Sequence, residues 1–362
     1  MKYLGDSLVG LRLKEYPDRI ILYGSADPTL LHSDFPNQPV LTYLNGVTKS
    51  IWASNYGWQA YAWGSGWSWS DFSEAYMAER SALPVFGNVV RFAGKKNEMI
   101  IYPKAVLRNT ISRFYSKIGG TGYIDEVKRS FRENEFEIHL NGKDFSYVNV
   151  PFITSGELAF KILSDTLRKM IIGPDAPPIV FDSVKFVNRT IHSNTTDSLL
   201  KPMMHRSDNF FAEQSLLMVS NELIGVMNDE KIIDTLLKTD FKDFPQKPRW
   251  ADGSGLSRYN LFTPQDFVFI LNKMKDEFGM ERIKEIFATG GEGTISSYYK
   301  ADSGYIYAKT GTLSGVVALS GFLYTQSNKL LIFSTIVNNH NGSATEVRRA
   351  VEKFIQTIRN KY

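Results

Sequence analysis

Gly304-Tyr305-Ile306-Tyr307-Ala308-Lys309-Thr310-Gly311-Thr312 reads as a β-strand that runs into small polar residues, since aromatic and β-branched side chains suit a half-buried pleated surface. Residues 319–324 and 330–337 have the same texture and are separated by Thr325-Gln326-Ser327-Asn328-Lys329, which predicts a hairpin. Beyond it, Ser343-Ala344-Thr345-Glu346 fits a capping box, and Val347, Ala350, Val351, Phe354, Ile355 and Ile358 recur at helical spacing. The chain therefore ends in an antiparallel hairpin with an amphipathic helix laid on its sheet. Upstream, residues 209–224 carry a nearly continuous apolar content suited to a buried helix, with Ser207-Asp208 as cap candidates. Another helix, over 264–274, starts after Thr263 with proline at its first position.

The first half differs. Aromatic residues cluster from Trp52 to Trp69 with glycine and serine between them; their irregular spacing suits core packing better than a carbohydrate platform. Residues 98–102, 136–140 and 145–150 read as short strands, and Asn141-Gly142 between the last two predicts a hairpin. Residues 157–171 read as helix, and Pro174 to Pro178 break the chain before a strand at 179–181. A boundary is expected near residue 190, between a β-rich portion and an α/β portion.

A chain of 362 residues has room for two or three domains. Its net charge of +4 comes from dispersed residues, so no nucleic-acid footprint is visible. The absence of cysteine removes thiol nucleophiles and disulfides, and five scattered histidines lack metal-ligand spacing, so neither metal nor cofactor is expected. No apolar stretch is long enough to span a bilayer, and no signal peptide is recognisable. Met1 to Asp6 resembles the last turn of a helix closing on Gly5, which suggests a beginning that lies upstream.

Two short motifs carry chemistry, Ser207-Asp208-Asn209 and Lys309-Thr310-Gly311-Thr312. Acyl transfer at a peptide carbonyl needs a proton relay, an oxyanion hole and a grip on the substrate carboxylate. Ser207 can pass a proton, Asn209 can hold a substrate amide and Lys309 supplies positive field. Thr310 and Thr312 offer hydroxyls to a carboxylate, and Gly311 lets a substrate backbone approach a strand edge. Either motif alone is as well read as a helix cap or a strand end; together and in this order they favour a site. Asp252-Gly253-Ser254-Gly255 could offer Asp252 and Ser254 as catalytic groups, but its composition is that of a turn.

These motifs sit within longer runs, His205 to Glu213, Ala251 to Asn260 and Ala308 to Val316, and are joined by Gly24-Ser25-Ala26-Asp27-Pro28-Thr29-Leu30, Gly66-Trp67-Ser68-Trp69 and Ala78-Glu79-Arg80-Ser81-Ala82. The whole set resembles the D-alanyl-D-alanine carboxypeptidase/endopeptidase family, the class C low-molecular-mass penicillin-binding proteins. The resemblance implies an α/β fold: a serine β-lactamase-like D,D-peptidase domain, antiparallel sheet with helices, holding a large mixed insertion with a nested β-rich subdomain near 93–150. Residues 1–20 would then be a remnant of the catalytic domain, 21–190 the insertion and 191–362 the main catalytic part. It further implies a periplasmic serine-type hydrolase acting on peptidoglycan stem peptides ending in D-Ala-D-Ala and acylated by β-lactams. Ser207, Asn209 and Lys309 would be catalytic, and Thr310, Gly311 and Thr312 would bind substrate.

The departure is the nucleophile. Only Ser198-Leu199-Leu200-Lys201 and Ser297-Tyr298-Tyr299-Lys300 match S-x-x-K, and both lie outside the place the family reserves for it, before the insertion. The 362-residue chain is thus expected to be inactive by itself. A non-catalytic peptidoglycan- or protein-binding module on the same fold is the alternative, and an in-frame S-x-x-K upstream of Met1 separates the two. A β-lactamase or esterase fits the insertion less well.

Overall fold

A computed structural model describes residues 1–95, 98–107, 113–116, 124–140, 147–173 and 185–362. The chain forms two compact units, Met1–Thr196 with Phe210–Ile232, and Asp197–Asn209 with Ile233–Tyr362. In chain order the first holds β1 (Ser7–Glu15), β2 (Arg19–Tyr23), α1 (Pro39–Gly46), β3 (Ser50–Ser54), β4 (Val89–Lys95), β5 (Glu98–Tyr102) and β6 (Arg113–Ser116). β7 (Ile124–Arg129), β8 (Phe136–Leu140), β9 (Tyr147–Pro151), α2 (Gly156–Leu167), β10 (Ile171–Ile172) and β11 (Val187–Thr195) follow. Then come α3 (Thr196–Arg206), α4 (Asn209–Ile224), α5 (Asp229–Lys238), α6 (Pro264–Ile286), β12 (Ala288–Thr289), β13 (Ile306–Leu313), β14 (Val316–Tyr324), β15 (Leu330–Asn338) and α7 (Ala344–Lys361).

In the first unit a five-stranded sheet runs β10-β3-β2-β1-β11, and two three-stranded sheets run β5-β4-β9 and β6-β8-β7. Leu11, Leu13, Ile20 and Leu22 alternate inward from β1 and β2 and join Leu44, Leu163, Phe92, Phe136 and Phe152 in one core. α4 is buried along most of its length, and its polar residues are used inside. Gln214 donates from Nε2 to the carbonyls of Ala26 and Ser81, both at 2.9 Å, as a buried amide must if it is not to cost stability. Gly24 is required beside this contact, for a Cβ there would stand 2.2 Å from the Ala82 oxygen.

Three expectations change here. A boundary at residue 20 falls inside β2, whose Tyr23 pairs with Arg12 of β1, while β1 pairs with β11 from Ser7↔Thr195 to Glu15↔Val187; these backbone ladders carry the first unit back to the start of the chain and forward past 190. Among the described residues, the strands on either side of Asn141-Gly142 do not pair with each other. β8 pairs with β6 and β7, and β9 pairs with β4, because the apolar faces of the two strands complete different sheets and that pairing overrides the local turn signal. The turn itself, like the strand expected at 179–181, lies outside the described residues.

The second unit is built on the sheet β12-β13-β14-β15. The hairpin and the last helix lie as the sequence leads one to expect. Val351, Ile355 and Ile358 of α7 pack with Ile306, Ala308, Leu319 and Leu323, whereas Phe354, on the expected apolar stripe, is 57% exposed. Ser343 caps α7 by accepting from the Thr345 amide at 3.2 Å, one residue short of the capping-box bond. α6 starts from a full capping box between Thr263 and Asp266 and runs well past residue 274, across a kink at Gly279 with φ 74°. Among the described residues no helix is long and apolar enough to cross a membrane.

Candidate active site

α3 stops at Arg206 and α4 starts at Asn209, so Ser207 and Asp208 form the bend between them. Ser207 takes a left-handed φ of 58°, a conformation that a serine adopts rarely and that clusters at functional sites. The bend is closed by the Asp208 amide, which donates to the Met203 carbonyl at 3.0 Å, and by an ion pair of Arg206 with Asp208 at 3.4 Å. Ser207 therefore lies one residue too early to cap α4, and its hydroxyl is available elsewhere.

It goes to Lys309. The ammonium Nζ donates to Ser207 Oγ at 2.6 Å and to the Thr310 carbonyl at 2.6 Å. These short bonds bring the two motifs, far apart in sequence, into one constellation. Removal from water pushes the Lys309 amine down to about 8, since burial disfavours the charged form.

β13 extends from Ile306 through the whole Lys309-Thr310-Gly311-Thr312 motif to Leu313, so the motif lies within the strand and not after it. On one side it is paired with β14 throughout, from Ile306↔Leu323 to Leu313↔Val316. On the other, two-residue β12 reaches only Tyr307 and Ala308. From Lys309 onward the outer edge of β13 has no strand partner among the described residues. Gly311 lies on that stretch, and a Cβ there would meet only the Ala318 side chain, at 3.4 Å; packing within the fold does not demand this glycine.

Thr310 and Thr312, two apart, share one face of the strand. Thr310 donates through Oγ1 to Thr294 Oγ1 at 2.8 Å, and Thr312 Oγ1 accepts from Arg348 Nη2 at 2.9 Å. Asn209 opens α4 two residues beyond Ser207. Thr294 and Arg348 were not legible in the sequence. Thr294 sits in a glycine-rich turn, and Arg348 has the sequence context of ordinary solvation on the polar side of an amphipathic helix.

Asp252 is buried and accepts from the amides of Gly255 and Ser257 at 2.8 and 2.6 Å and from Asn260 Nδ2 at 2.7 Å; its carboxylate shapes the turn. Ser198 and Lys201 are exposed on α3. Ser297 and Lys300 flank a turn and not a helical face. No group of residues able to hold a metal occurs among the described residues.

Residues 11–359 match the model of the D-Ala-D-Ala carboxypeptidase 3 (S13) family. The D-alanyl-D-alanine carboxypeptidase DacB of Haemophilus influenzae is 22% identical over 330 residues, 83% of this chain and 67% of that protein. The D-alanyl-D-alanine carboxypeptidase of an Actinomadura species is 37% identical over 101 residues, 26% of this chain and 19% of that protein. Among solved structures, penicillin binding protein 4 (dacB) from Haemophilus influenzae superposes with a TM-score of 0.71 at 20% identity, covering 99% of this chain and 87% of that one. A predatory peptidoglycan endopeptidase from Bdellovibrio bacteriovorus gives 0.53 at 14% identity, covering 99% and 82%. At these identities the structural likeness is one of fold.

Proposed function

From the premise that the chain belongs to the D-Ala-D-Ala carboxypeptidase 3 (S13) family, we propose that its second unit is the recognition and proton-relay part of an extracytoplasmic D,D-peptidase. The ligand is a peptidoglycan stem peptide ending in D-Ala-D-Ala. The observation that carries this reading is the 2.6 Å bond from Lys309 Nζ to Ser207 Oγ. With Lys309 filling an acceptor site of Ser207, the hydroxyl proton of Ser207 is turned outward and can be given to the departing amine of the terminal D-alanine.

Lys309 then restores the proton to Ser207. Its amine, near 8, is matched to the α-amino group it serves, whose ordinary pKa is about 8, and proton transfer between matched groups costs least. The bound peptide lies along the open edge of β13 past Gly311, with its terminal carboxylate at Thr310 and Thr312 and its amide held by Asn209. The acylating serine that this chemistry requires belongs to an S-x-x-K element, a role this reading gives to neither Ser198, exposed on α3, nor Ser297, in a turn. The binding-module reading shares the groove and rests on that same observation.

A fluorescent penicillin checks both halves. Purified alone, the 362-residue chain is expected to show no covalent band after denaturing electrophoresis, yet to bind diacetyl-Lys-D-Ala-D-Ala reversibly in calorimetry. A band abolished by Ser198→Ala or Ser297→Ala would overturn the assignment of those serines, and absence of peptide binding would overturn the reading of the groove.

A further inference from the structure

β1 sends Leu11 and Leu13 into the core of the first unit, and strand alternation therefore turns Arg12 and Lys14 to the opposite face of the sheet. Their cross-strand neighbours share that face: Arg12 stands opposite Tyr23 of β2 and Thr190 of β11, and Lys14 opposite Asn188. Tyr56, after β3, and Asn221, in the last turn of α4, complete the walls of a cavity of about 560 Å³ over this face. That size falls in the range of small-molecule sites, which join aromatic walls to a few placed polar groups.

The charge of the lining has one sign. It holds Arg12, Lys14 and Arg189 and no carboxylate. Arg12 is bound by Glu222 at 2.6 Å and Arg189 by Glu15. Lys14 has no carboxylate partner among the described residues; its ammonium lies 4.7 Å from the ring centre of Phe186 and 5.9 Å from that of Tyr23. Ring contacts of this kind hold a cation without neutralising it, so its charge is left for a ligand. Tyr23 and Tyr56 meet edge to face with ring centres 6.4 Å apart, and Tyr56, from the aromatic run expected to form core, is 77% exposed.

Rings, side-chain amides and an uncompensated ammonium together discriminate between anions. A bare phosphate would use the ammonium and leave the rings idle. A sugar acid uses all three, with an apolar ring face for tyrosine, hydroxyl and acetamido groups for Asn188 and Asn221, and a carboxylate for the lysine. We infer that this cavity is a second ligand site, which takes an N-acetylated sugar acid with its carboxylate at Lys14 and its ring against Tyr56. In peptidoglycan that chemistry belongs to N-acetylmuramic acid freed of its stem peptide, so the choice of sugar rests on the peptidoglycan reading above. The cavity itself is lined by the first unit alone and includes none of Ser207, Lys309 and β13.

The test uses the full chain, with N-acetylmuramic acid and its methyl ester as probes, affinities from calorimetry and melting temperatures as a check on folding. The unaltered protein should prefer the acid by about tenfold. Lys14→Gln should weaken the acid by about tenfold, leave the ester within about twofold, and so erase the preference. Tyr56→Ala, at an exposed position, should weaken both probes several-fold and by the same factor. The inference falls if the unaltered protein binds the acid no better than the ester, if inorganic phosphate binds as tightly as the acid, or if a folded Lys14→Gln keeps the preference. If Lys14→Gln does not fold, Tyr56→Ala decides, and unchanged affinity for both probes at an unchanged melting temperature would overturn the inference. A chain that binds diacetyl-Lys-D-Ala-D-Ala but not the sugar acid loses this inference and keeps the groove reading. One that binds only the sugar acid loses the groove reading and keeps the cavity, and one that binds neither loses both.

Discussion

Arg80 and Lys309 are cations drawn away from water, one in each compact unit, and they are treated in opposite ways. Arg80 is 1% exposed and surrounded by compensation: Nη1 meets Asp229 at 2.8 Å and Glu213 at 3.2 Å, and Nε and Nη2 donate to the carbonyls of Tyr61 and Trp63. Among the described residues Lys309 meets only a hydroxyl and a carbonyl, both neutral. A buried charge with matched partners is fixed in place and has nothing left to offer. A charge held by neutral groups keeps an unspent field and a labile proton, which suits binding and relay.

The contrast is most exposed to failure at Arg80. Arg80→Met withdraws the buried cation that Glu213 and Asp229 both meet, and should cost about 3 to 5 kcal/mol of stability in urea unfolding followed by fluorescence. Lys309→Met removes no ion pair, so the same measurement should show no loss, while binding of a D-Ala-D-Ala peptide drops by more than about tenfold. If both variants lost stability equally, the distinction between the two cations would be gone.

A smaller effect sharpens it through two glycines on neighbouring strands. At Gly321 of β14 a Cβ would stand 2.1 Å from the Tyr307 oxygen, whereas at Gly311 it meets ordinary contact distance. Gly321→Ala should destabilise by about 1 to 3 kcal/mol, and Gly311→Ala by less than about 1 kcal/mol while weakening peptide binding several-fold. Unchanged affinity in Gly311→Ala would remove the substrate from this edge.

A further effect is in pH. Lys309 titrates near 8 in the fold against 10.5 for an ordinary lysine. The fold disfavours its proton, so the protonated lysine opposes folding in full below about pH 8, and that opposition is lost as pH rises toward 10.5. Lys309→Met should therefore gain stability over the unaltered protein at pH 7, and the gain should shrink by pH 10.5. Peptide affinity should run the other way, falling with a midpoint near 8 as the positive field disappears. A flat affinity profile from pH 7 to 9 would show that the charge of Lys309 plays no part in binding.

The motifs, the last hairpin and the helices over 209–224 and from 264 were legible because each is a local pattern: a period, a cap, a run of β-formers. What was not legible was settled across the chain. Asn141-Gly142 announced a hairpin, yet β8 and β9 found better partners in other sheets. Ser207 read as a helix cap, and only the fold shows that Lys309 takes its hydroxyl. Arg348 and Thr294 gained meaning through contacts with β13, for which a single sequence holds no sign. Glu213 and Asp229 are ordinary helix residues until Arg80 is placed between them.

The shortness of β12 limits what can pair beside β13. A two-residue strand at Ala288–Thr289 covers the edge only as far as Ala308, and the hairpin to β14 closes the other end after Leu313. The stretch between, residues 309–313, is about 17 Å long at ~3.4 Å per residue. It acts as a ruler. A strand longer than this stretch would have to displace β12 or pass the turn, and would meet Lys309, which has no carboxylate partner among the described residues. Open edges ordinarily invite runaway assembly, and short length and charge are the usual guards against it. Here both guards are present on β13, a short exposed stretch and the cation of Lys309.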